Sequence, residues 1–325
     1  MGRGRRLAVL GALLVLGLGA FAWALKAGQL PVAWSDVLAA LTGAGENPAA
    51  RIVRALRLPR AVAAFTCGGL LALAGALMQV LLRNPLADPY VLGISGGAAV
   101  GALLAISLGA AAWVVDGVAF AGALAAMFLV FGLARGDGAW THARLLLTGV
   151  IVAAGCGAAV SFLLVTTTDA RVQSMLFWLT GDASGAARPW PALGVLILGL
   201  LAALPFARDF NVLARGEVTA RALGVRVEHL RLAVYGLASL LTAVSVTLVG
   251  SVGFVGLIVP HLVRLVLGND QRILLPAATL AGGVLLLLAD TAARTVVAPV
   301  QLPVGVLTAM IGVPVFLFLL VRHSR

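Results

Sequence analysis

Acidic side chains are scarce in this chain. Twelve Asp and Glu stand against 23 Lys and Arg in 325 residues, and charged residues of either sign reach only 11%. A soluble domain needs more charge than this to cover its surface, so a free globular protein is excluded. There is no Gly-x-x-x-x-Gly-Lys-Ser/Thr phosphate loop, and no polar stretch long enough for a nucleotide-binding domain. If ATP drives this protein, a partner binds it. Cysteine is limited to Cys67 and Cys156, each inside an apolar run. That leaves no metal or redox spacing and reads as two buried free thiols. Four scattered histidines supply neither a nucleophile–base pair nor a ligand cluster. No catalytic residue, metal site or cofactor is expected in the chain.

What is present is apolar surface. Hydrophobic residues make up 62%, and mean hydropathy is +1.09. The expected fold class is an all-α, polytopic membrane protein embedded in a lipid bilayer. A span takes about 20 mostly apolar residues. Candidate spans lie near 7–27, 59–82, 91–109, 112–134, 144–166, 190–207, 231–250, 254–268, 273–294 and 304–322. This makes about ten, in one polytopic domain over 1–325. The stretch 254–268 is too short to cross and reads as a half-helix, which is tolerated only where protein or water covers its ends. Arg3, Arg5 and Arg6 before the run 7–25 resemble a signal peptide. The run is longer than a usual signal core and more spans follow, so it reads as an uncleaved first helix. Glycines at 68, 69 and 75, with Ala72, suit close helix–helix approach.

The net charge of +11 would suggest nucleic acid in a soluble protein. Here most arginines sit at the ends of apolar runs, where they snorkel and set topology, so no nucleic-acid partner is expected. With the N-terminus inside, fifteen of the 23 basic residues fall on the inner side and eight on the outer. This predicts N-in and C-in. Half of the outer charges are Arg51, Arg54, Arg57 and Arg60 in one cluster, in a segment 31–58 expected outside. Such a cluster either docks something acidic or anchors a helix end in headgroups.

Three further segments draw notice. Arg83-Asn84-Pro85-Leu86-Ala87-Asp88-Pro89 carries two prolines and predicts an extended turn on the inner side. It reads as a capped turn, with Ser95 as an N-cap, or as a gate element. Within the inner segment 208–231, Val218, Arg221 and Ala222 follow helical spacing and Gly224 is a stop. This short helix is a contact for a soluble motor or a surface-lying turn. Asp290 and Arg294 stand four apart, the favourable order for an ion pair that would neutralise Asp290. His261 follows Pro260 but has no ligand partner at metal spacing, so it reads as structural.

The motifs together resemble a family. Arg57-Leu58-Pro59-Arg60, Gly75-Ala76-Leu77-Met78-Gln79, Arg83 to Pro89 and Leu92-Gly93-Ile94-Ser95-Gly96-Gly97-Ala98 occur in order. Gly253-Phe254-Val255-Gly256-Leu257-Ile258-Val259-Pro260-His261 and Leu302-Pro303-Val304-Gly305 follow. Over residues 5–322 the chain resembles the membrane permeases of bacterial ABC importers for iron-siderophores, haem and vitamin B12. The resemblance implies a homodimer in the bacterial inner membrane, two cytoplasmic ATPase subunits that bind ATP and Mg, and a periplasmic substrate-binding protein. It implies that Arg57, Arg60 and Arg294 meet carboxylates on that binding protein. It places Glu217, Ala220, Leu223 and Gly224 in a helix coupled to the ATPase, Asn84 and Leu86 at an inner gate, and His142 and Ala143 at a second constriction. Many relatives carry Glu where this chain has Gln301, which keeps hydrogen bonding but not charge. A bulky metal chelate is the expected cargo, haem first, then vitamin B12 or a ferric siderophore. The alternative, an autonomous secondary transporter or channel, would need coupling carboxylates or a filter inside the membrane. Only Asp290 and Asp116 approach that.

Overall fold

The computed structural model describes residues 3–43, 47–134, 142–186, 188–298 and 300–323. Among these residues the regular structure is entirely helical. The α-helices in order are α1 (Arg3–Lys26), α2 (Trp34–Thr42), α3 (Pro48–Ile52), α4 (Leu58–Leu81), α5 (Ile94–Ser107), α6 (Ala112–Ala134), α7 (His142–Thr166) and α8 (Asp169–Thr180). They continue with α9 (Trp190–Ala203), α10 (Ala207–Leu213), α11 (Glu217–Ala222), α12 (Val227–Val249), α13 (Val255–Leu267), α14 (Gln271–Ala293) and α15 (Val304–His323). Among the described residues, seven helical stretches are long and apolar enough to cross a membrane. Shorter apolar helices cover Ile94–Ser107, Val255–Leu267 and Val304–Leu319.

Helix α4 is the centre of the molecule, buried along almost its whole length. It packs against α12, α13 and α14, and glycine sets how closely. A Cβ on Gly68 would stand 2.1 Å from the Gly282 carbonyl oxygen of α14, and one on Gly75 would stand 1.9 Å from the Gly256 oxygen of α13. Without side chains these backbones touch, and the dispersion contact replaces a hydrophobic drive that lipid does not supply. The small-residue spacing expected for close approach is therefore realised on α4.

The structure adds elements outside the expected spans and corrects the Ser95 reading. Segment 31–58 carries α2, α3 and a π-turn over Val53–Arg57 that leads directly into α4. Pro59 explains the π-turn. A proline ring has no N–H and crowds the carbonyl four residues back, so the preceding turn widens, and Leu58 N–H bonds Val53 O. Helix α8 lies in a stretch read as connection. Ser95 is not an N-cap; Gly93 holds that position at φ 74°, and the Ser95 hydroxyl meets Ser251 Oγ at 3.1 Å. The short helix expected over 254–268 is observed as α13. His261 lies buried midway along it.

Candidate functional site: outer arginines, gate loop and coupling helix

At the end of α1, the last carbonyls have no intrahelical donors. Two distant arginines supply them. Arg57 donates through Nη1 to Leu25 O at 3.0 Å and Lys26 O at 2.7 Å, and through Nη2 to Leu30 O. Arg294 donates to Ala24 O. Arg57 and Arg294 are only 5% and 7% exposed. Arg60 grips Asp290 instead, with Nε at 3.0 Å from Oδ2 and Nη2 at 2.9 Å from Oδ1, and its Nη1 reaches Gln301 Oε1 at 2.9 Å. The expected Asp290–Arg294 pair is thus replaced by Arg60–Asp290, because the planar fork of Arg60 meets the carboxylate from α4 with two donors. The open rim expected of Arg57, Arg60 and Arg294 is not what the geometry presents. Arg57 and Arg294 face inward onto carbonyls, while Arg51 and Arg54 remain exposed. Gln301 keeps the hydrogen-bonding role left to it.

The loop after α4 is built from backbone logic. Asn84 N–H bonds Gln79 O and Arg83 N–H bonds Val80 O, the paired bonds of a Schellman stop. The left-handed residue that this stop needs is Arg83, at φ 49°. Asn84 Oδ1 then accepts from Leu86 N–H at 2.9 Å, and Asp88 Oδ1 accepts from Tyr90 N–H at 2.7 Å. Burial pushes the Asp88 carboxyl up to about 6, against the opposing Tyr90 hydrogen bond. The far end of the loop is tied to the break between α12 and α13, where Tyr90 OH accepts from Val252 N–H at 3.0 Å. Asn84 is exposed and Leu86 partly so. Ala143 is exposed near the start of α7, and the side chain of His142 lies outside the described residues. Helix α7 meets the gate loop at Gly149, where a Cβ would stand 2.3 Å from Val91 O. That is about 9 Å along the helix from Ala143.

Helix α11 ends in a second Schellman stop, with Val225 N–H on Ala220 O and Gly224 N–H on Arg221 O. Gly224 supplies φ 82°, with open space around it. One face turns inward, with Ala220 fully buried. The exposed residues are Val218 at 85% and Leu223, the C-cap, at 65%, together with Thr219, Arg221 and Ala222. Of the residues expected at the ATPase contact, Leu223 and Gly224 lie on the open side. Ala220 is a packing residue, and Glu217 points back into the protein. Its carboxylate is held by Arg231 of α12 and lies 3.6 Å from Arg83 Nη2. Arg83 was noted from sequence only as the start of the turn motif, and Tyr90, Arg231 and Ser251 were given no role. The only available signal was Arg83 itself, an arginine two residues before a proline at a helix end.

Residues 13–322 match the family model described as the FecCD transport family. The cobalamin import system permease protein BtuC of Halobacterium salinarum is 45% identical over 83% of this chain and 73% of its own length. The hemin transport system permease protein HmuU of Yersinia pestis is 42% identical over 83% of each. A solved structure of an ABC transporter assigned to the metal-chelate type, in an inward-facing conformation, superposes with a TM-score of 0.83 at 30% identity, covering 98% of this chain and 99% of that one. This chain, with its short helices around α4, its proline-bounded loop after α4 and its short α11, belongs to the FecCD transport family of ABC importer permeases.

Proposed function

We propose that the protein is the transmembrane subunit of an ATP-driven importer that carries a bulky metal chelate inward across a bacterial inner membrane. The observation that carries this reading is the full-length superposition on the metal-chelate type transporter. It leaves almost no part of the chain for another activity. The working unit is a homodimer of ten-span subunits, 1–325 forming one domain with both termini inside. Helix α7 is the least buried of the long spans and faces lipid or the second copy. The exposed side chains of Val218 and Leu223 are offered to a cytoplasmic ATPase, which holds ATP and Mg. The periplasmic binding protein docks on the outer face, where Arg51 and Arg54 are exposed and Arg57, Arg60 and Arg294 organise the helix ends beneath. ATP binding and hydrolysis alternate the dimer between outward-open and inward-open states by stabilising them differently. Asn84 and Leu86 stand at the inner gate, with Ala143 and His142 at a second narrowing.

An autonomous transporter is disfavoured by Asp290, the carboxylate deepest in the protein at 1% exposure, because Arg60 already neutralises it. Cargo is a macrocyclic metal chelate in first place, since haem, the expectation from sequence, and cobalamin are the ligands named for the similar permeases. The test is reconstitution in liposomes with its ATPase and binding protein, with haem, cobalamin and a ferric siderophore offered in turn. Stimulated ATP hydrolysis and uptake of one of them is the expected result. Uptake without ATPase would overturn the importer reading.

A further inference from the structure

The projecting helix and the gate loop are separate in sequence but joined by one carboxylate. Glu217 opens α11, where its charge also suits the helix N-terminus. It is held by Arg231, a mostly buried side chain of α12, and approaches Arg83 at 3.6 Å. Arg83 is the residue immediately before Asn84. It occupies a left-handed conformation in which glycine would be unstrained and an arginine is not. A strained residue whose side chain reaches a specific partner points to a role for that side chain. The loop's other end is fixed by the Tyr90–Val252 bond. Movement at Arg83 therefore bends the segment between them, which holds Asn84 and Leu86.

We propose that Glu217 is the link that carries displacement of α11 to the inner gate, acting as a positioning residue through Arg83 rather than as a contact for the ATPase. This rests on the importer reading above. It assigns different work to the two sides of α11. Val218 and Leu223 receive the motor, and Glu217 passes its movement inward while Arg231 keeps the carboxylate aimed.

The test uses the complete complex of permease, ATPase and binding protein in liposomes, with Glu217→Gln, Arg83→Gly and the double variant. Three quantities are read: ATPase recovered with the permease, thermal stability, and chelate taken up per ATP hydrolysed. Each single variant should retain the ATPase while uptake per ATP falls about threefold to tenfold. The double variant should be no worse than Glu217→Gln, since the glutamine has already released Arg83, the partner that Arg83→Gly removes. Arg83→Gly also relieves the left-handed strain, so its stability should hold while coupling drops, which a merely structural role would not produce. Unchanged uptake per ATP in either single variant overturns the link, as does additivity in the double. Loss of the ATPase from Glu217→Gln makes Glu217 a docking residue and overturns it as well. A wild-type complex that shows no ATP-dependent uptake of any chelate fails the importer reading itself, and the link with it. The wild-type arm separates that failure from a failure of the link alone.

Discussion

At the residue scale, the outer arginines carry the clearest energetic statement. Arg57 satisfies three carbonyls around the end of α1, so Arg57→Ala removes a charged donor from one buried acceptor and two part-buried ones. Hydrogen bonds to charged groups are worth about 1.5–3 kcal/mol, and partial hydration of the carbonyls limits the loss to about 2 kcal/mol. A lower melting temperature in detergent, with Arg51→Ala near wild type, is the expected pattern. Asp88 gives a pH signature. Its folded carboxyl is raised from 3.8 to about 6 by burial. The folded state then binds the proton more tightly than the unfolded chain does, so stability falls as pH rises between these values and is flat above them. Asp88→Asn stays neutral and keeps an acceptor for Tyr90 N–H. The variant should melt higher than wild type above the raised value and lose that advantage as the pH approaches 4. Equal differences at both pH values would refute a raised, titrating Asp88 carboxyl.

At the element scale, α11 is a six-residue helix that could not stand alone, since nucleation costs more than so few bonds return. It survives because Ala220 is buried, Glu217 is anchored and Gly224 closes the C-terminus. Leu223→Asp leaves that scaffold intact and replaces an exposed apolar side chain with a charge. The ATPase should co-purify at about one-tenth of the wild-type yield, on the scale of losing one interface anchor of about 1.4 kcal/mol. Gly224→Ala instead imposes a left-handed alanine, with a cost of about 1 kcal/mol confined to the helix end. Its effect on the ATPase should be the smaller of the two. A larger effect from Gly224→Ala would move the contact from the side-chain face to the turn.

At the scale of the whole molecule, orientation is the property to measure. The basic-residue bias predicts α11 inside and the α2–α3 segment outside. Ser35 and Ala214 are exposed in those two regions. Single cysteines there, with Cys67 and Cys156 replaced, should react with an impermeant thiol reagent from opposite faces of sealed vesicles. Labelling from one face only would invert or break the topology on which the importer direction depends.

Membrane class, the approximate span positions, the short α13, the α11 stop and the gate turn were legible in the sequence. Each depends on a local rule: apolar run length, helical spacing, or the dihedral preferences of glycine and proline. The ordered motifs also indicated the family. Local rules failed wherever a side chain chose among distant partners. Asp290 had Arg294 four residues away, yet Arg60, 230 residues earlier, holds it. Arg57 read as an outer charge for docking and Arg294 as the partner of Asp290 until the end of α1 was brought beside them. Glu217 read as a motor contact until α12 and the gate loop closed around it. An ion's partner is decided by proximity and desolvation in three dimensions. Only the packing of α1, α12 and α14 around α4 determined which charges remain exposed for a partner and which hold the fold.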